Sequence, residues 1–103
     1  MTIYRTELSL PLVGHAPEEL FALAQAALVG DGRVVSVTAT PAASAPGGFA
    51  RHVDMTVRFR ADTDTHAASV ASELHDRALD RLLAAATTAH GWTSSYGPPE
   101  LVD

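Results

Sequence analysis

The chain has 103 residues, a formal net charge of −5 and no cysteine. These figures fit one globular domain. They exclude a disulfide scaffold, a cysteine-ligated zinc or iron–sulfur centre and a cysteine nucleophile.

Hydrophobic residues make up 47% of the chain, but 19 of them are alanine. Alanine brings little apolar area, so the core is thin and association would help it. All seven basic residues are Arg, and the sequence pI is about 5.4. A phosphate backbone is bound by dense positive charge, so nucleic acid is not an expected partner. The first residues lack the basic start and apolar run of a secretory signal. No stretch approaches the ~20 apolar residues of a membrane span. The expected location is the cytoplasm, without membrane association.

Residues 2–12 alternate. Tyr4, Thr6, Leu8, Leu10 and Leu12 share one face, and Ile3, Arg5, Glu7 and Ser9 the other. Period two with one apolar face reads as a half-buried strand, ended by Pro11 and Gly14. Pro17, Glu18 and Glu19 then signal a helix start. Leu20, Leu23, Ala24, Ala27 and Leu28 recur at helical spacing, and Gly30 and Gly32 close the helix.

Residues 33–40 form a second strand rich in β-branched side chains. Val35, Val37 and Ala39 are expected on the core face; Val34, Ser36, Thr38 and Thr40 are expected on the other. Residues 41–50 read as a loop, long for a hairpin. Residues 51–61 alternate most clearly. Val53, Met55, Val57, Phe59 and Ala61 face in, while His52, Asp54, Thr56, Arg58 and Arg60 face out.

Asp62, Thr63, Asp64 and Thr65 supply capping oxygens for a second helix. That helix is expected to run to about His90, or about 26 residues and ~39 Å. Ala67, Val70, Ala71, Leu74, Ala78, Leu82 and Ala85 form one stripe; Leu79, Leu83 and Ala86 form a second beside it. Gly91 closes the helix, and Trp92 folds back on its last turn. The expected domain spans residues 1–91. Residues 92–103 are a tail or a short edge strand, and Pro98 and Pro99 are expected to bar any strand beyond Gly97.

The order is β-α-β-β-α with an optional short fourth strand. This is an α+β, ferredoxin-like (split βαβ) arrangement, an antiparallel sheet with two helices on one face. The fold hosts many activities and supplies none by itself.

The topology gathers three histidines at one end. His15 follows the first strand, His52 begins the third and His90 ends the second helix. Imidazole serves as a general base near neutrality. His52 is therefore a candidate base, with Asp54 two residues along the same face to orient it. His15, Phe49, Trp92 and Tyr4 are candidate ligand-binding residues around it. A zinc ion on His15, His52 and His90 is a third reading. Their spacing matches no metal motif, so no metal or other cofactor is assigned. The same residues equally suit an ordinary solvated end of the fold, and no serine sits in a nucleophile motif.

Three features favour assembly. The second helix outruns the first and carries Leu79, Leu83 and Ala86 as a candidate interface. A short or absent fourth strand would expose a sheet edge. The polar sheet face bears no helix. The leading expectation is an oligomerising or protein-interaction module without catalytic activity, forming a homodimer. The alternative is a cofactorless small-molecule enzyme or ligand binder near His15, His52 and Trp92.

Overall fold

β1 spans Thr2–Pro11 and forms because its side chains alternate. Tyr4, Thr6, Leu8 and Leu10 are buried, while Arg5 and Glu7 are exposed. The computed structural model describes residues 2–39, 52–86 and 94–102.

A tight turn follows β1. The His15 N–H donates to the Leu12 carbonyl at 2.8 Å. Between them Val13 has φ 47° and Gly14 φ 92°, the two positive values that a type I′ turn requires. A β-branched residue seldom adopts such a φ. Val13 is held there by burial, being 3% exposed. α1 (Pro17–Val29) then starts on Pro17 and buries Leu20, Ala24 and Leu28.

The connection out of α1 is pinned by charge. The Asp31 carboxylate accepts from the Arg33 backbone N–H at 2.9 Å, which closes an Asx-type turn. It also accepts from the Arg33 guanidinium at 2.8 Å and from Arg77 Nη1 at 3.1 Å. Arg33 Nη1 reaches Glu73 at 2.7 Å. Glu73 and Arg77 are thus tied to the turn after α1.

β2 (Val34–Ala39) pairs with β3 (His52–Ala61). Here one expectation fails. A bulge lies between Val34 and Ser36, and the extra residue shifts the alternation by one. Val34 and Val37 therefore pack on the core, whereas Val35 is exposed.

α2 (Asp64–Ala84) begins as expected. Thr63 is the cap, and its hydroxyl accepts from the His66 N–H at 3.1 Å. The His66 ring returns the bond, its Nδ1 accepting from the Asp62 N–H at 3.1 Å, in the manner of a capping box. The far end is shorter than expected. The helix stops at Ala84, and the Ala85 N–H turns back to the Leu82 and Leu83 carbonyls. It has 21 residues, or ~31 Å.

The prolines do not end the sheet. β4 (Ser95–Tyr96) pairs with β1 at Leu8 and Ser9, and β5 (Glu100–Leu101) pairs with β1 at Tyr4 and Arg5. Pro98 and Pro99 occupy the gap between them, where an edge strand can lack a donor. Residues 94–102 thus edge the sheet in two pieces.

The result is an α+β fold with a five-stranded antiparallel sheet and two helices. The strand order is β2-β3-β1-β4, with β5 also on β1. One cluster joins Leu8, Leu10, Met55, Val57 and Phe59 of the sheet to Leu20 and Leu28 of α1 and Leu74 and Leu82 of α2. Both helices therefore cover the same sheet face. Burial of a side chain such as Phe59 contributes about 2–3 kcal/mol. Among the described residues no helix is long and apolar enough to cross a membrane.

Candidate functional site

The helices leave one face of the sheet uncovered. Cross-strand partners share a face, so register fixes which residues stand there. At one end Ile3 pairs with Arg60; next come Arg5 and Arg58, flanked by Glu100 and Ser36. Glu7 follows opposite Thr56, then Ser9 opposite Asp54 with Ser95 beside it. His52 pairs with Pro11 at the far end. Successive rows are ~6.7 Å apart.

Charge is sorted along these rows. Arg60, Arg5 and Arg58 occupy the end where β1 begins. Glu7 and Asp54 occupy the other. Arg5 is partly neutralised, donating to Glu100 at 2.9 Å. That pair is exposed on both sides, so it contributes little stability. The Glu7, Asp54, Arg58 and Arg60 side chains are exposed, and among the described residues none of them has an ion-pair partner.

Two adjoining cavities indent this face along the split edge. One, of about 280 Å³, is lined by Arg5, Glu7, Gly97, Pro98 and Glu100. The other, of about 190 Å³, is lined by Glu7, Ser9, Asp54 and Ser95 among others. They meet at Glu7 and Gly97. Gly97 is held there from both sides: its N–H donates to the Glu7 carbonyl at 2.8 Å, and its carbonyl accepts from the buried Thr6 hydroxyl at 2.8 Å.

Four of the expected site residues lie among the described residues: Tyr4, His15, His52 and Asp54. Asp54 lies on the uncovered face, and His52 shares its parity on β3. Tyr4 does not join them, because it belongs to the opposite, helix-covered face. Its hydroxyl donates to Asp64 Oδ1 at 2.7 Å, and its ring stacks on Phe59 with centroids 6.1 Å apart. The Asp64 carboxylate beside it pushes the phenol above its ordinary value. Alternation puts Tyr4 on the opposite face from His52 and Asp54, and register puts it opposite Phe59, five residues along β3 from Asp54 and seven from His52.

His15 does reach the end of α2. Its Nε2 lies 2.7 Å from the Ala85 carbonyl, so that nitrogen must carry the proton. Its Nδ1 lies 3.4 Å from Glu19. The ring latches the start of α1 to the end of α2. His90, Phe49 and Trp92 fall outside the described residues. Among the described residues no group of three or more His, Asp or Glu side chains could hold a metal ion.

The expected helix interface is also uneven. Leu79 is half-buried and Ala86 packs against the core. Leu83, 37% exposed, is the outward member of the three.

Two polar groups escape a reading of the sequence. Asp31 is 9% exposed, and the Arg33 guanidinium holds its carboxyl down to about 2. Its place between Gly30 and Gly32, followed by Arg33, is the available signal of an Asx turn. His75 is 8% exposed and meets Ser94 across the fold. No spacing links those two.

The chain matches no family model, no curated protein and no solved structure.

Proposed function

We propose that the chain is an oligomerising module of the split βαβ, ferredoxin-like type, and that its uncovered sheet face binds the same face of a second copy. The observation that carries this reading is the sorting of charge along β1 and β3.

Two copies can stack about a two-fold axis lying between the sheets. With the axis parallel to the strands, arginine rows would oppose arginine rows. With the axis across the strands at the level of Thr6, the register reverses. Arg5 then faces Glu7 of the second copy, and Arg60 faces its Asp54. Symmetry repeats each pair. Charge thus favours the second stack over the first.

The area is at the threshold for a specific contact. β1 and β3 have ten residues each and β2 six, and the edge runs from Ser95 to Leu101. At ~3.3 Å along and ~4.8 Å across per residue, the pair would bury about 1,000 Å² in total. The 190 Å³ cavity beside Asp54 leaves room for an arginine side chain from the second copy. The cytoplasm is the proposed setting, and the assembly needs no cofactor.

Light scattering on the eluted protein tests this reading. At tens of micromolar and low salt the mass should be twice 10.8 kDa. A mass of one chain at that concentration would overturn it.

A further inference from the structure

We propose that Ser94 is a nucleophile that His75 activates toward activated acyl esters. The proposal goes beyond self-association and does not depend on it.

The carrying observation is a hydrogen-bonded chain of three side chains. His75 Nδ1 lies 3.2 Å from Asp76 Oδ1, and His75 Nε2 lies 3.1 Å from Ser94 Oγ. An ionised carboxylate only accepts, so Nδ1 carries the ring proton. In that tautomer Nε2 presents its lone pair, and the Ser94 hydroxyl must donate to it. Hydroxyl, base and orienting carboxylate thus stand in the order of nucleophilic catalysis.

The surroundings keep this arrangement in place. His75 sits on α2 between the buried Leu74 and Ala78 and is 8% exposed. The Tyr96 ring covers it, with centroids 4.9 Å apart at 39°. Tyr96 is fixed in turn by its pairing with Leu8. Ser94 is half-buried, and access of an ester to its oxygen is part of what the labelling experiment reads.

In the reaction, Ser94 Oγ bonds to the acyl carbon while its proton passes to His75 Nε2. The bond from carbon to the leaving oxygen breaks, and that oxygen takes the proton. Asp76 is 70% exposed in its side chain, so it is a weak positioning residue. These three side chains carry the step with no oxyanion-hole donor assigned, a group that contributes roughly 100–1,000-fold. The expected chemistry is therefore slow, stoichiometric acylation.

A fluorophosphonate probe reads this out. Oγ would bond to phosphorus, fluoride would leave, and His75 would take the proton. Cleavage after Arg81 releases residues 82–103, and fragmentation distinguishes Ser94 from Ser95. The label is expected on Ser94 and absent in Ser94→Ala. His75→Ala should slow labelling at least roughly 10-fold, and added imidazole should restore it. Asp76→Asn, on the surface and safe for folding, should slow it about 3-fold or more. No label on Ser94, or a rate unchanged in Asp76→Asn, would overturn the proposal.

Discussion

Arg60 and Asp54 stand six residues apart on one face of β3, ~20 Å along the strand, with opposite charge and no ion-pair partner among the described residues. Within one chain they are too far apart to pair. Across a two-fold stack each meets its opposite. Because these groups are exposed, salt should screen their attraction within a Debye length of ~8–10 Å. Raising sodium chloride from 50 to 500 mM should weaken self-association roughly 10-fold or more, as read by sedimentation equilibrium. An unchanged or strengthened association would point to an apolar interface instead.

The helix alternative makes a separate prediction. Leu83 is the exposed residue of the Leu79, Leu83 and Ala86 set, and it lies on the other side of the molecule from the uncovered sheet. Leu83→Asp should leave both fold and dimer mass unchanged. Dissociation on this substitution would return the interface to α2.

Asp31 should govern acid stability. Its folded pKa is lowered to about 2, chiefly by its hydrogen bonds to Arg33, against about 3.9 in an unfolded chain. A lowered carboxylate pKa stabilises the fold above the unfolded value, and the effect fades as pH falls through the folded one. The shift corresponds to about 2–3 kcal/mol at neutral pH. Asp31→Asn should therefore lower stability by about 2–3 kcal/mol at pH 7 in urea unfolding. The gap between variant and parent should close between about pH 5 and pH 2.

Two local features should each have a measurable cost. Thr63→Ala removes the cap of α2 and should cost about 1 kcal/mol. Gly14 sits at φ 92°, where a Cβ is strained, so Gly14→Ala should cost about 1–2 kcal/mol. Thermal unfolding followed by circular dichroism checks both.

Much of this molecule is legible in the sequence because its strands alternate. β1 and β3 carry an unbroken period of two, and their faces emerge as read. β2 does not, since Val34 and Val35 are adjacent valines and either can face inward. Only the bulge selects Val34, and a bulge leaves no mark in residue type. The end of α2 is hidden for a related reason: Ala84, Ala85 and Ala86 are strong helix formers and carry no stop signal before Gly91. Pro98 and Pro99 mislead, because an edge strand can resume beyond them. At the site, alternation places Asp54, Arg58 and Arg60 on one face, but it cannot show their charge sorting against Arg5 and Glu7. That depends on the pairing register of β1 with β3. Topology alone carries His15 to the end of α2, where its ring nitrogens serve packing. His75 and Ser94 meet through tertiary contact between α2 and the split edge, which no local pattern encodes.

The most direct measurement is a charge exchange across the proposed two-fold axis, followed by solution mass. Arg60→Glu alone should yield single chains of 10.8 kDa, because it sets a carboxylate against Asp54 of the second copy. Combining Arg60→Glu with Asp54→Arg restores opposite charges at both positions and should restore the dimer. A dimer that survives Arg60→Glu, or a double variant that remains a single chain while folded, would contradict the account.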